Sequence, residues 1–230
     1  MKTLGWFGAF LILGCLHARA ASIIRSVDEP ALRVVIGQPL AGAVATVDRT
    51  QSNRYQRVGQ TIESTSIAQD YQNVSTLYLL VESGTDVPVS GTHFLDLWIG
   101  EWDKDLNTAG ATVRREQYDV SGFTFEDNSY YGFTFSSPFT LNQDTDYAFQ
   151  LWWTTDDPTH SFQVARANGQ GSGIDGGFIS DTSNVGGLPF DATPARNQDL
   201  VFYVQAAVPE PSSAVLMGLA GGVLLLRRRR

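Results

Sequence analysis

The sequence predicts an all-β fold, a two-sheet antiparallel sandwich of jelly-roll type, flanked by an N-terminal signal helix and a short C-terminal transmembrane helix. Three observations predict it. No segment of residues 21–207 sustains the apolar period of an amphipathic helix. Short alternating apolar and polar runs recur instead, separated by Gly, Asn, Asp, Ser and Pro. No fixed-period repeat is visible, which disfavours a solenoid or propeller. The stretch between the end segments, roughly 190 residues, suffices for one domain with a sizeable core.

The first element is a signal peptide over residues 1–20. Met1-Lys2 supplies a positive start, and residues 4–16 form an apolar run without a charge. His17-Ala18-Arg19-Ala20 then places small residues at Ala18 and Ala20, where a signal peptidase requires them, so Ala21 becomes the new terminus. The run is too short to span the ~30 Å hydrocarbon core comfortably. Cys15 is the single cysteine of the chain. Ile12-Leu13-Gly14-Cys15 resembles a lipoprotein box, with Cys15 as the lipid-bearing terminus, but the Ala-x-Ala site is the better match. A cut after Ala20 leaves a mature chain without a thiol, which excludes disulfides and cysteine chemistry.

The strands follow. Leu77, Leu79 and Val81 alternate along residues 74–82, and Leu95, Leu97 and Ile99 along residues 93–100. Tyr131, Phe133 and Phe135 form a third set, expected to end at Pro138. Tyr147, Phe149, Leu151 and Trp153 make the clearest strand, with Ala148, Gln150 and Trp152 opposite, and Leu200, Phe202 and Val204 give the last. Weaker runs lie at residues 32–36, 57–62, 113–125 and 162–165. Eight to ten strands in one chain indicate a sandwich.

The last element covers residues 208–230. Val208-Pro209-Glu210-Pro211 precedes a thirteen-residue apolar stretch, 214–226, and Arg227, Arg228, Arg229 and Arg230 close the chain. As a helix that stretch reaches only ~20 Å. Arginine side chains can snorkel, and their charge would hold this end in the cytoplasm with the domain outside. Pro209 and Pro211 donate no backbone hydrogen bond and keep the motif extended, in the form a membrane-side protease can bind. An ordinary tail anchor is the competing reading.

These features together resemble the tripartite PEP-CTERM sorting signal, also labelled an ice-binding-protein C-terminal domain. Pro209, Glu210 and Pro211 match its motif residue for residue. The resemblance implies that exosortase, a membrane-embedded cysteine protease, removes the tail and that the protein reaches the cell surface or extracellular matrix. The middle region is similar to the choice-of-anchor β-domains found upstream of such tails, through Val58-Gly59-Gln60, Leu141-x-x-Asp144-Thr145-x-Tyr147 and Asp199-Leu200-x-Phe202. That similarity implies a β-sandwich of undefined biochemical role.

Between the end segments, residues 21–208 hold ten Lys and Arg against twenty-three Asp and Glu, a net charge near −13. Such a surface repels phosphates, so nucleic acid is not an expected partner. The expected partners are signal peptidase and an exosortase-type protease, with exopolysaccharide as a further candidate.

No catalytic residue is expected. His93 and His160 stand apart, whereas zinc needs about four ligands, and Gly169-Gln170-Gly171-Ser172-Gly173 is not a hydrolase elbow. Glu101-Trp102-Asp103-Lys104-Asp105 resembles the acidic triplet of laminarinase-type glycosidases, with Asp105 where that family has Glu. Glu101 shares parity with Leu95, Leu97 and Ile99, and burying unpaired charge is costly, so the strand is expected to end near Gly100. The same loop is the candidate calcium site. Asp103-x-Asp105-x-Asn107 begins like an EF-hand, but Thr108 and Arg114 replace its glycine and final glutamate. Gly171-x-Gly173-x-Asp175 resembles a single calcium-binding nonapeptide. Ordinary acidic turns are the alternative at both, and calcium is the one candidate cofactor. Phe94, Trp98 and Trp102 share the face opposite Leu95 and Leu97. Exposed, they would form a sugar-stacking stripe; covered by a loop, they would be core.

Overall fold

The computed structural model describes residues 21–30, 34–38, 43–47, 57–85, 87–154, 161–168, 175–181 and 189–206. Ala18, Ala20, Cys15, His160, Gly171, Gly173, Pro209, Glu210, Pro211 and Arg227 to Arg230 lie outside the described residues.

The described chain is all-β, with two antiparallel sheets packed face to face. Its strands in order are β1 (Ser22–Ser26), β2 (Val34–Gln38), β3 (Ala43–Val47), β4 (Arg57–Ile62), β5 (Tyr71–Ser83), β6 (Phe94–Asp103), β7 (Thr108–Asp119), β8 (Ser129–Leu141), β9 (Tyr147–Trp153), β10 (Phe162–Asn168), β11 (Gly176–Asp181), β12 (Gln198–Leu200) and β13 (Phe202–Ala206). One sheet follows the order β11-β4-β9-β6-β7. The other runs β1-β8-β5, and β5 then pairs with β13 along Val74 to Leu79 and with β10 from Val81. Strand β2 lies beyond β13, and β3 beyond β10.

The alternating residues build the space between the sheets. Leu95, Leu97, Ile99, Phe149 and Leu151 from one sheet meet Leu77, Leu79, Tyr131, Phe133, Phe202 and Val204 from the other in a single buried cluster. Rings join the layers edge to face. Phe149 and Phe202 have centroids 4.9 Å apart, and Tyr118 and Phe133 5.2 Å.

Several expectations change. Strand β8 continues through Pro138 to Leu141. The β5–β8 register jumps between Val74↔Phe139 and Thr76↔Thr134, so Pro138 falls in a bulge where no ladder donor is required. Strand β7 begins at Thr108 and stops at Asp119, while Phe125 packs into the core from the following loop, stacked on Phe162 at 4.2 Å. Strand β6 does not stop at Gly100 but runs through Asp103. The inward parity continues, yet Glu101 and Asp103 are exposed and carry no burial cost there. Strands β1, β3 and β11 had no counterpart in the apolar pattern, because SIIRS, AVATV and GGFISD show no clean alternation of large apolar and polar residues.

Candidate functional site

Sequence places the aromatic candidates on the even-numbered face of β6. That face carries Asp96, Trp98 and Trp102, beside Ala148, Gln150 and Trp152 of the neighbouring β9. Trp98 lies over Gly100, where a Cβ would stand 2.1 Å from the indole. Its Nε1 donates to Thr112 Oγ1 at 2.8 Å.

The face is covered. Trp98 and Trp152 are fully buried and Trp102 is 5% exposed, in a cluster with Ala148, Ile179 and Phe190. The cover is the segment around Phe190 to Ala195, and Gln150 fastens it. Its Nε2 donates to the Phe190 carbonyl and its Oε1 accepts the Phe190 N–H, each at 2.8 Å, so one side chain acts as a strand partner. Asp191 Oδ1 accepts the Ala109 N–H at 2.9 Å, and Ala195 bridges to Phe178. Arg57, paired with Asp181, sits 4.8 Å from the Phe190 ring centre. The stripe is therefore a second, smaller core. Trp98 and Trp102 offer no open platform for a sugar ring, and Phe94 is half-buried at the strand start. The physical reason is that three large indoles on one sheet face would leave an apolar patch in water, and a loop removes it.

At the margin of this cover, Arg115 lies 5.4 Å from the Trp152 ring centre and pairs with the buried Asp96, whose Oδ1 accepts Gln117 Nε2 at 3.3 Å. The indole N–H groups of Trp102 and Trp152 find no acceptor among the described residues.

The acidic loop serves a turn. Asp103 Oδ1 accepts the backbone N–H groups of Asp105 and Leu106 at 3.0 and 2.9 Å, and Asn107 adopts φ 56° to close the β6–β7 hairpin. One oxygen that the calcium reading required is thus engaged by backbone. Among the described residues no group of three or more His, Cys, Asp or Glu is placed to hold a metal ion. Lys104 Nζ lies 3.2 Å from Asp146. Burial raises the Asp146 pKa, but hydrogen bonds from Ser64 and Lys104 outweigh it and hold the carboxyl below its ordinary value. Asp175 accepts Thr65 Oγ1 at 2.7 Å, again within a loop. The His93 backbone N–H donates to Ser121 Oγ at 3.1 Å where β6 begins.

Sequence reasoning missed the strongest polar constellation. Gln60 points into the core between Val58 and Ile62. Its Nε2 donates to Asp199 Oδ1 at 2.6 Å and its Oε1 accepts the Leu200 N–H at 3.0 Å, tying one sheet to the other. Tyr147, in the core, accepts the Asn142 N–H on its hydroxyl at 3.0 Å and sets the β8–β9 turn. A third group, Tyr78, Tyr130 and Tyr203, covers the outer face of the β1-containing sheet, with the Tyr203 hydroxyl 2.5 Å from Glu29. Gly37 and Gly132 make room for Tyr203 and Tyr78, whose rings lie 2.7 and 2.6 Å from where a Cβ would stand. Glycines opposite tyrosines were the available signal.

No protein-family model and no curated protein matches the chain, so the reading of its two ends rests on their residues.

Proposed function

We propose that this is a non-enzymatic β-sandwich of the bacterial envelope or extracellular matrix. It is exported by a signal peptide cut after Ala20 and sorted through Pro209-Glu210-Pro211 by an exosortase-type protease. One observation carries the reading: the ordered strands begin and end beside the two assigned cuts. Strand β1 starts at Ser22, two residues after Ala20, and β13 ends at Ala206, three residues before Pro209. Both assigned sites thus lie, in sequence, just beyond the first and last described strands.

The chain passes repeatedly between the two sheets from β4 to β12, which supports a jelly-roll-like topology. The covered tryptophans favour a structural role for the β6 face over polysaccharide binding. The short apolar stretch 214–226, with its three glycines, suits transient membrane retention better than permanent anchorage.

Intact-mass measurement of surface and medium fractions tests the proposal in a host that has exosortase. The expected chain starts at Ala21 and lacks residues 214–230. Chains ending in Arg230, equally abundant with and without the protease, would leave a plain tail anchor.

A further inference from the structure

Strands β1 and β13 meet one row of the sheet. Ser22 pairs with Thr134, Thr134 with Thr76, and Thr76 with Gln205. The hydroxyls of Thr76 and Thr134 lie 3.3 Å apart in the middle of that row. Because every pairing is antiparallel, β1 runs away from this end of the sandwich and β13 runs toward it. The start of the mature chain and its last strand residue therefore emerge at the same end, three strand spacings or about 14 Å apart. A β13 of opposite direction would have put its last residue beside Leu79, about 13 Å further along the strands toward the other end.

We infer that this end of the β1-containing sheet faces the lipid bilayer while the tail is still attached; the inference rests on the export and sorting reading above. Pro209 follows Ala206 by three residues, so the motif cannot stand more than about 10 Å from the strand end. Before the cut after Ala20 the signal segment and the tail enter the same membrane from the same side and turn both exits toward it; after that cut the short link to the tail still holds the β13 exit there.

Charge selects the surface that approaches the headgroups. At this end the β1-containing sheet presents residues 71–76 and 136–143, all uncharged, with Gln72 and Thr140 exposed and Asp70 alongside. The acidic groups Glu63, Glu101, Asp103 and Asp105, with Lys104, belong to the other sheet and its loops, and Asp144 and Asp146 to the β8–β9 connection between the two sheets. The far end of the β1-containing sheet carries Asp28, Glu82, Glu126 and Asp127 with Arg25. An anionic leaflet repels carboxylates within a Debye length. The uncharged rim meets the lipid, and the sandwich tilts its acidic sheet away. A small apolar cavity lies between the sheets near the same end, lined by Val74, Phe135, Phe139, Leu141 and Val204 among others.

Residues 21–208 contain no cysteine, so single probes can be introduced cleanly. The full-length chain with Cys15→Ser and one of Gln72→Cys, Thr140→Cys or Val87→Cys, a fluorophore on the introduced thiol, is reconstituted into phosphatidylcholine–phosphatidylglycerol vesicles containing a headgroup-nitroxide lipid. Val87 is exposed and lies beyond the opposite end of β5. With the ends of that strand about 40 Å apart, quenching at Gln72→Cys and Thr140→Cys is expected to exceed that at Val87→Cys about threefold or more. Equal quenching at all three positions in chains that float with the vesicles would overturn the orientation and leave the tail reading standing. Chains that do not float would overturn both.

Discussion

Gln60 and Asp199, 139 residues apart, hydrogen-bond at 2.6 Å inside the core and join the two sheets. Both side chains are buried, and Gln60 also holds the Leu200 N–H. The pair acts as a clamp between the two layers.

Gln60→Ala is expected to destabilise the domain by about 2–4 kcal/mol, because it leaves a buried carboxylate oxygen and a backbone N–H without partners. Asp199→Ala is expected to cost less when combined with it than when made alone. Urea unfolding of the two single variants and the double variant checks this. Additive losses would show that the pair does not act as a unit.

The β6 tryptophans are expected to govern stability. Trp98→Ala should cost about 3–5 kcal/mol as a large core truncation. Gly100→Ala should cost about 1–3 kcal/mol by overpacking against the Trp98 ring and the Ala111 carbonyl. Gln150→Ala should loosen the cover, read as faster amide exchange at Phe190. Thermal melts and exchange measurements decide, and a Trp98→Ala protein as stable as the parent would argue that the face opens freely.

Asp103 is expected to act as a turn residue. Asp103→Asn keeps a side-chain oxygen for the Asp105 and Leu106 amides and should change stability little. Asp103→Ala should cost roughly 1 kcal/mol. Melting curves in calcium and in chelator should superimpose for the parent. A chelator-dependent drop would restore calcium to this loop.

High pH should destabilise the fold through its tyrosines. Burial, reinforced at Tyr203 by the Glu29 carboxylate, raises the pKa of Tyr78, Tyr118, Tyr130 and Tyr203 above the ordinary 10.0. Their contribution is complete below the unfolded value. It is lost as pH rises above 10, where the unfolded chain releases protons first. Tyrosinate absorbance should therefore appear together with loss of far-ultraviolet signal. Full titration of these phenols with the sheets intact would contradict their burial.

At the opposite extreme, the depressed Asp146 carboxyl contributes stability that is present above its unfolded value of 3.8 and disappears as pH falls below it. Lys104→Met should shrink that acid-side loss, measured as a smaller change in urea midpoint between pH 5 and pH 3, with both values about 1 unit either side of the ordinary carboxylate pKa.

The alternating pattern by itself determined the all-β class, the inward residues of β5, β6, β8, β9 and β13, and the antiparallel sandwich, because a strand's period of two declares its buried face locally. Tertiary structure decided what the outward residues meet. Parity placed Trp98, Trp102 and Trp152 away from the main core, but only the fold brings Phe190 over them, since a loop 40 residues from Gln150 carries no periodic mark. Parity also set Glu101 and Asp103 on the inward side, while their exposure depends on where the facing sheet ends. Gln60 and Asp199 are polar residues in apolar runs, and each looks anomalous until its partner arrives from the other sheet. Strand order had no local signature at all: the row from Ser22 through Thr134 and Thr76 to Gln205 exists because long-range pairing, not local pattern, sets which ends of the chain lie together.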